Sequence, residues 1–277
     1  NPSFVNVGDV TNTGVEVLLS YRQRVNEDFK WNISLGAGYN KNEITSLGEN
    51  GQALDGGFTG QLFADPITRT ALGHQISSFY GYVVEGVDAR GNLVFADLDN
   101  SGNDKTIPNE GDKTFIGQPL PDWTFGLNLG VNYKGFDLNA FFYGTQGNDI
   151  FDATIRYDAI GSNRPVGYAA EGAPANLFGA GSGGEQLVSD FHVKDGSFVK
   201  LKNLSLGYTF SDKLINRIGA RNIRLYVAAQ NLLAFTRYTG ADPEIGENTL
   251  NSNLDLGIDR GFYPQPRTVM FGFELGF

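Results

Sequence analysis

Apolar and polar residues alternate with a period of two over much of this chain. The clearest stretch is 122–134. Trp123, Phe125, Leu127, Leu129, Val131 and Tyr133 fall on one side, and Thr124, Gly126, Asn128, Gly130, Asn132 and Lys134 on the other. Successive side chains of a strand point to opposite faces, so this spacing predicts a strand with one wholly apolar face. An aromatic residue sits at each end of that face, and rings prefer the two membrane–water interfaces. The same alternation recurs over 15–21, 29–39, 136–142, 204–210, 223–229 and 269–277. This gives about seven strands, each near the ~9–11 residues that a tilted strand needs to cross a bilayer. Between Ser197 and Lys202 the apolar phase shifts, which predicts a bulge or an extension above the membrane.

The connections alternate in length. Short turns are expected at 23–28, 134–135 and 211–222, and long loops at 41–121, 146–196 and 236–267. Outer-membrane barrels keep short turns on the periplasmic side and long loops outside. On that rule the C-terminus lies in the periplasm and the first strand starts outside. A complete single-chain barrel normally has an even strand number. An open sheet edge is not tolerated in lipid, where each unsatisfied backbone group costs several kcal/mol. The expected fold is therefore all-β: a transmembrane antiparallel β-barrel segment of about seven strands, closed by further strands of a larger barrel, with long extracellular loops. A closed water-soluble sandwich would overturn that expectation.

Composition narrows the choice. The mean hydropathy is slightly negative, and no run approaches the ~20 apolar residues of a membrane helix. A barrel strand meets lipid on one face only, so its hydropathy averages out. Aromatic residues make up 13% of the 277 residues and charged residues 19%. There is no cysteine, and His74 and His192 are the only histidines, which excludes thiol chemistry and a His/Cys zinc site. A net charge of −10 argues against nucleic-acid binding, which needs a basic surface to release phosphate counterions. The chain opens on Asn-Pro without a basic-then-apolar leader, so processing or an upstream portion is expected.

Several segments resemble the SusC/RagA family of TonB-linked outer-membrane proteins. They are Asn12-Thr13-Gly14-Val15-Glu16, Phe79-Tyr80-Gly81-Tyr82, Asp97-Leu98-Asp99-Asn100-Ser101-Gly102 and Phe115-Ile116-Gly117-Gln118-Pro119-Leu120-Pro121. Further along come the stretch from Val193 to Leu204, Gln230-Asn231-Leu232, Asp242-Pro243-Glu244 and Tyr263-Pro264-Gln265-Pro266-Arg267-Thr268. The resemblance implies a barrel of about 22 strands with a plugged lumen, of which residues 1–277 form the C-terminal part. The plug and the energy-coupling segment would lie upstream. It also implies import of oligosaccharides or peptides, a SusD-like surface lipoprotein as partner, and the TonB-ExbB-ExbD complex acting through the N-terminal portion. Outer-membrane lipids and the barrel-assembly machinery complete the expected partners. Competing readings are a scaffold in a surface complex, a passive porin or adhesin, and an outer-membrane enzyme. The last lacks a nucleophile–base pair.

Candidate site residues are few. Asp97, Asp99, Ser101 and Gly102 match the first half of a calcium loop. The twelfth position is Pro108 rather than Glu, so Glu110 or Asp112 would have to complete a calcium or magnesium shell. The plainer reading is an acidic hydrated turn. Among loop aromatics, Tyr80, Tyr157, Tyr168, Tyr238 and Tyr263 are candidates for stacking on substrate, weighed against small hydrophobic clusters that keep long loops folded. Phe277 is in phase with the apolar face of the closing strand and reads as a barrel-assembly signal.

Overall fold

The structure, a computed structural model, describes residues 8–48, 51–58, 63, 65–89, 92–102, 105–154, 187–211, 221–245 and 253–276. The strands are β1 (Gly8–Arg24), β2 (Phe29–Leu47), β3 (Leu54–Gly56), β4 (Thr68–Thr70), β5 (Ser78–Tyr82), β6 (Val84–Val87), β7 (Leu93–Phe95) and β8 (Lys113–Gly117). They continue with β9 (Trp123–Tyr133), β10 (Phe136–Gln146), β11 (Asp149–Asp152), β12 (Val193–Asp195), β13 (Phe198–Thr209), β14 (Asn222–Thr236), β15 (Ile258–Asp259) and β16 (Thr268–Gly276). No described helix is long and apolar enough to cross a membrane.

Seven long strands form one antiparallel sheet in the order β1-β2-β9-β10-β13-β14-β16. Each neighbour in the sheet is the next long strand in the chain, so the wall is a simple up-and-down meander. The register keeps every apolar face in phase. Ala37, Phe125, Gly144, Val199 and Phe235 share one outward row. Gln23 and Trp31 are paired, as are Tyr21 and Ile33. The outward side chains lack a protein core: Phe271 is 85% exposed and Phe273 is 75% exposed. Rings gather at two heights. Tyr39 and Trp123 lie 5.1 Å apart at the upper end. Tyr21–Trp31, Phe29–Tyr133 and Phe136–Tyr208 mark the lower end at 5.2, 6.0 and 4.5 Å. β9 joins the two levels with 11 residues. At ~3.4 Å per residue and a tilt of ~45°, its span across the layer is roughly 25 Å, the height of an outer-membrane apolar band.

Local chemistry explains the turns. Lys134 and Gly135 both have positive φ, at 47° and 86°, the backbone that a two-residue β9–β10 hairpin requires. Asn26 Oδ1 accepts the N–H groups of Asp28 and Phe29 at 2.9 and 2.8 Å and closes the β1–β2 turn. The third short connection falls largely outside the described residues. The expected phase shift is present: the register slips between Leu201 and Asn203, opposite Asn231 in the left-handed region at φ 51°. Asparagine tolerates that conformation because its short polar side chain bonds locally. The slip turns Lys200 inward and returns Leu233 and Phe235 to the outward face.

The long loops are built, not irregular. β1 and β2 run past the upper ring level to Gly8 and Leu47, beyond the strand expected to end near Tyr39. Polar residues break the alternation there, but pairing continues and Ile44 exchanges backbone bonds with Gly73 and His74. The loop between β2 and β9 carries two small sheets, β3-β4-β5-β8 and β6-β7. The other two loops meet in β12-β11-β15. Phe63, Ile67, Phe79, Phe151, Ala153, Val188 and Ile258 form one buried core, so all three loops contribute to it. Gly81 allows the close approach this needs, since a Cβ there would overlap the Val188 carbonyl. Tyr82, Leu93 and Phe95 form a second cluster.

Candidate functional site

The inward face of the wall is lined by neutral hydrogen-bonding groups. Register places Asn32, Asn139 and Ser205 in one row, and Ser34, Asn128, Asn203 and Gln230 in the next. They border a trough of about 550 Å³. Charge is confined to its ends. At the turn end, Arg224 donates to Asp137 at 2.8 and 3.0 Å and to Glu274 at 3.0 Å. At the loop end sits a second network. Lys200, 4% exposed at its side chain, is paired with Asp242 and lies 3.0 Å from Glu244. Lys202 reaches Glu244 at 2.7 Å. Asp242 also accepts the N–H groups of Glu244 and Gln265 at 2.9 and 3.1 Å. Burial pushes the Asp242 and Glu244 carboxyls up, but the two lysines and the backbone donors outweigh it and hold both below their usual range. The network ties the β14–β16 loop to the wall. Above it lies a recess of about 450 Å³ between Leu120, Tyr143, Asp149, Phe198 and Ile258. Burial pushes the Asp149 carboxyl up, reinforced by the charges of Asp195 and Asp122.

The aspartate loop closes as its sequence requires. Asp97 accepts the N–H groups of Ser101 and Gly102 at 3.1 and 3.0 Å, and Asp99 accepts that of Ser101 at 2.9 Å. Asp112 is buried and accepts from Leu98 and Asn109 at 2.9 and 3.0 Å. One ligand atom from each of Asp97, Asp99 and Asp112 lies within 4.8 Å of the others. Three hard oxygen donors at that spacing fit a calcium-class ion, although every one of these carboxylates already serves backbone donors. Hydrogen bonds from the Ser101 hydroxyl and N–H hold the Asp99 carboxyl below its usual range. The Ser101 hydroxyl also accepts from Asn109 at 2.9 Å. Glu110 turns away to Lys113, 2.6 Å distant, so Asp112 is the acid that converges.

The candidate tyrosines do not share a site. Tyr80 lies under the Arg69 guanidinium, 4.0 Å from its ring centre, and against Phe115. Tyr238 is buried, and its hydroxyl donates to Asp259 at 2.6 Å. Burial, then that carboxylate, pushes its phenol well above the usual range. Tyr263 is 90% exposed. Tyr157, Tyr168 and Phe277 lie outside the described residues. Sequence reasoning passed over the Lys200–Asp242 pairing. Both segments stood out separately, but nothing local joins residues 42 positions apart. His192 was read as structural, and it is fully buried in the loop core, stacked on Phe151 at 5.1 Å.

A sheet that is oily on one side, amide-lined on the other and ringed by aromatics at two heights is a piece of transmembrane β-barrel wall. The family model described as TonB dependent receptor-like, beta-barrel, matches residues 1–232. The chain belongs to that family, which is one of outer-membrane receptors and not of enzymes. It is 33% identical to TonB-dependent receptor P3 of Formosa agariphila over 98% of its own length and 29% of the relative's. It is 27% identical to TonB-dependent receptor SusC of Bacteroides thetaiotaomicron over 98% of this chain and 27% of that one. The solved RagAB peptide transporter has the same fold, with a TM-score of 0.73 at 23% identity, covering 98% of this chain and 30% of that chain. The chain thus spans less than a third of the length of these relatives.

Proposed function

We propose that this chain forms the C-terminal wall and extracellular cap of an outer-membrane importer for oligosaccharides or peptides. The observation that carries the reading is the division of each long strand between lipid and water. The outward rows are apolar across roughly one membrane thickness, while the inward rows offer amides and hydroxyls along the trough, with the charged networks at its two ends. Such a surface hydrogen-bonds to uncharged hydroxyl- and amide-rich solutes without holding them by ion pairs. The similar fold of the RagAB peptide transporter supports the peptide branch of the reading.

The remaining strands, the plug and the segment that engages TonB-ExbB-ExbD belong to the rest of the protein. Two observations support this: β1 and β16 each leave a strand edge unpaired among the described residues, and the relatives are more than three times as long. A SusD-like lipoprotein is the expected partner over the cap. The turns face the periplasm, and so does the end of β16. A calcium-class ion is assigned to Asp97, Asp99 and Asp112, with Ser101 bracing the loop. Uptake of a labelled oligosaccharide or peptide by cells carrying the intact receptor tests the function. Uptake that stops when the proton gradient is collapsed is expected. Uptake that persists would mark a passive pore, and none at all would leave the scaffold reading.

A further inference from the structure

The recess of about 450 Å³ above the trough opens on the inward face. Tyr143, Thr145 and Phe198 place it there, since Tyr143 pairs with Gly126, and Thr145 pairs with Thr124 and Phe198. Phe141, two residues before Tyr143, lines the trough below, so a solute moving from the loops to the trough meets the recess on its way. The walls are mostly apolar. Pro119, Pro121, Leu256 and Ile258 line them beside the Tyr143 and Phe198 rings, which lie 5.9 Å apart and tilted by 59°. Rings at that tilt form a wedge for a slender alkyl chain rather than one flat platform.

The charged residues that line the recess are all acids: Asp149, Glu244 and Asp255. Two of them are already matched. Glu244 meets Lys200 and Lys202 at 3.0 and 2.7 Å, and Asp255 meets Arg260 at 2.7 Å. Asp149 has no lysine or arginine partner among the described residues. Its N–H donates to the Gln118 carbonyl at 2.7 Å and its Oδ2 accepts the Gln118 N–H at 3.0 Å, which holds the residue in place. The charges that act on it, those of Asp195 and Asp122, are both negative. Register sets Asp195 directly opposite it. A neutral ligand would leave this negative charge unbalanced, and an anion would add to it. A cation on an alkyl stem suits both parts of the recess, with the stem on the apolar walls and the head on the carboxylate.

We propose that this recess takes the side chain of one lysine or arginine of an imported peptide, with the alkyl stem among Tyr143, Phe198 and Leu256 and the charged head on Asp149. The inference rests on the import reading and names the substrate class within it. The trough below hydrogen-bonds to peptide amides, and the recess selects one cationic residue. Isothermal titration of the intact receptor in detergent tests it. The probes are three pentapeptides capped at both ends, alanine throughout except for a central lysine, norleucine or glutamate. The lysine peptide should bind about tenfold more tightly than the norleucine peptide, the weight of one charge-assisted hydrogen bond. The glutamate peptide should bind more weakly than either. Asp149→Asn should remove the lysine preference and leave the norleucine affinity unchanged, while heat-modifiable migration shows that the barrel is folded. Leu256→Trp, which fills the recess, should weaken the lysine and norleucine peptides alike. Equal affinity for those two, or a lysine preference that survives Asp149→Asn, would overturn the proposal and leave peptide import standing. Binding of none of the three would overturn it together with the peptide branch of the import reading.

Discussion

The wall and the loop cap solve opposite problems with the same residue types. In the wall, Phe271 and Phe273 are largely exposed because lipid replaces the core. In the cap, Phe79, Phe95 and Phe151 are fully buried, because water surrounds it and the loops must exclude that water themselves. The wall holds its polar groups on the inside and the cap holds its apolar groups there. A phenylalanine therefore reports nothing about burial until its medium is known.

Substitutions can break this contrast, beginning with the cap. Phe79→Ala should cost about 3–5 kcal/mol by leaving a cavity in the shared core. Limited proteolysis of the intact receptor should show cleavage in the loops while the barrel keeps its heat-modifiable migration. Simultaneous loss of the barrel would mean the two regions are not separate. Next comes the wall. Leu129→Arg, at the middle of β9, should destabilise by about 2–4 kcal/mol. Asn128→Arg, one residue away on the inward face, should cost far less. Denaturant titration in detergent or lipid compares them, and equal effects would refute the division of faces.

A smaller and tunable effect lies in His192. Burial between Phe151 and Phe63 pushes its imidazole down to about 3 from the usual 6.5. The folded cap thus excludes a proton that the unfolded loops accept. The His192 contribution to cap stability is complete above pH 6.5 and falls by about 1.4 kcal/mol per pH unit between there and pH 3. His192→Phe should flatten that dependence in loop proteolysis measured across the window. The smallest effect belongs to the turn-side rim. Arg224→Gln should change stability by about 1 kcal/mol or less, because its pairs with Asp137 and Glu274 remain accessible to water. Melting at two salt concentrations checks it.

The wall was legible because each strand writes its own environment locally. The alternation of Trp123 through Tyr133 needs no partner to be recognised, and Lys134-Gly135 fixes a hairpin by itself. The bulge near Lys202 was visible as a phase slip for the same reason. The cap was not legible. Phe151 pairs beside Ile258 in parallel, Thr68 donates to Leu254 at 2.5 Å, and Lys200 meets Asp242. Each contact joins distant segments whose local pattern is unremarkable. The aspartate loop stands between these cases. Asp97, Asp99 and Ser101 were recognisable from spacing, but Asp112 rather than Glu110 converges on them because Lys113 draws Glu110 away.

The sequence alone determined which residues of the wall face lipid, how many long strands form it, and where the β1–β2 and β9–β10 turns fall, since a period of two is a property of single strands. Only the tertiary structure decided that three loops share one core, that Lys200 anchors the Asp242 loop, and that Asp112 joins Asp97 and Asp99. Those outcomes depend on which distant segments meet, and chain order does not encode that meeting in any local period.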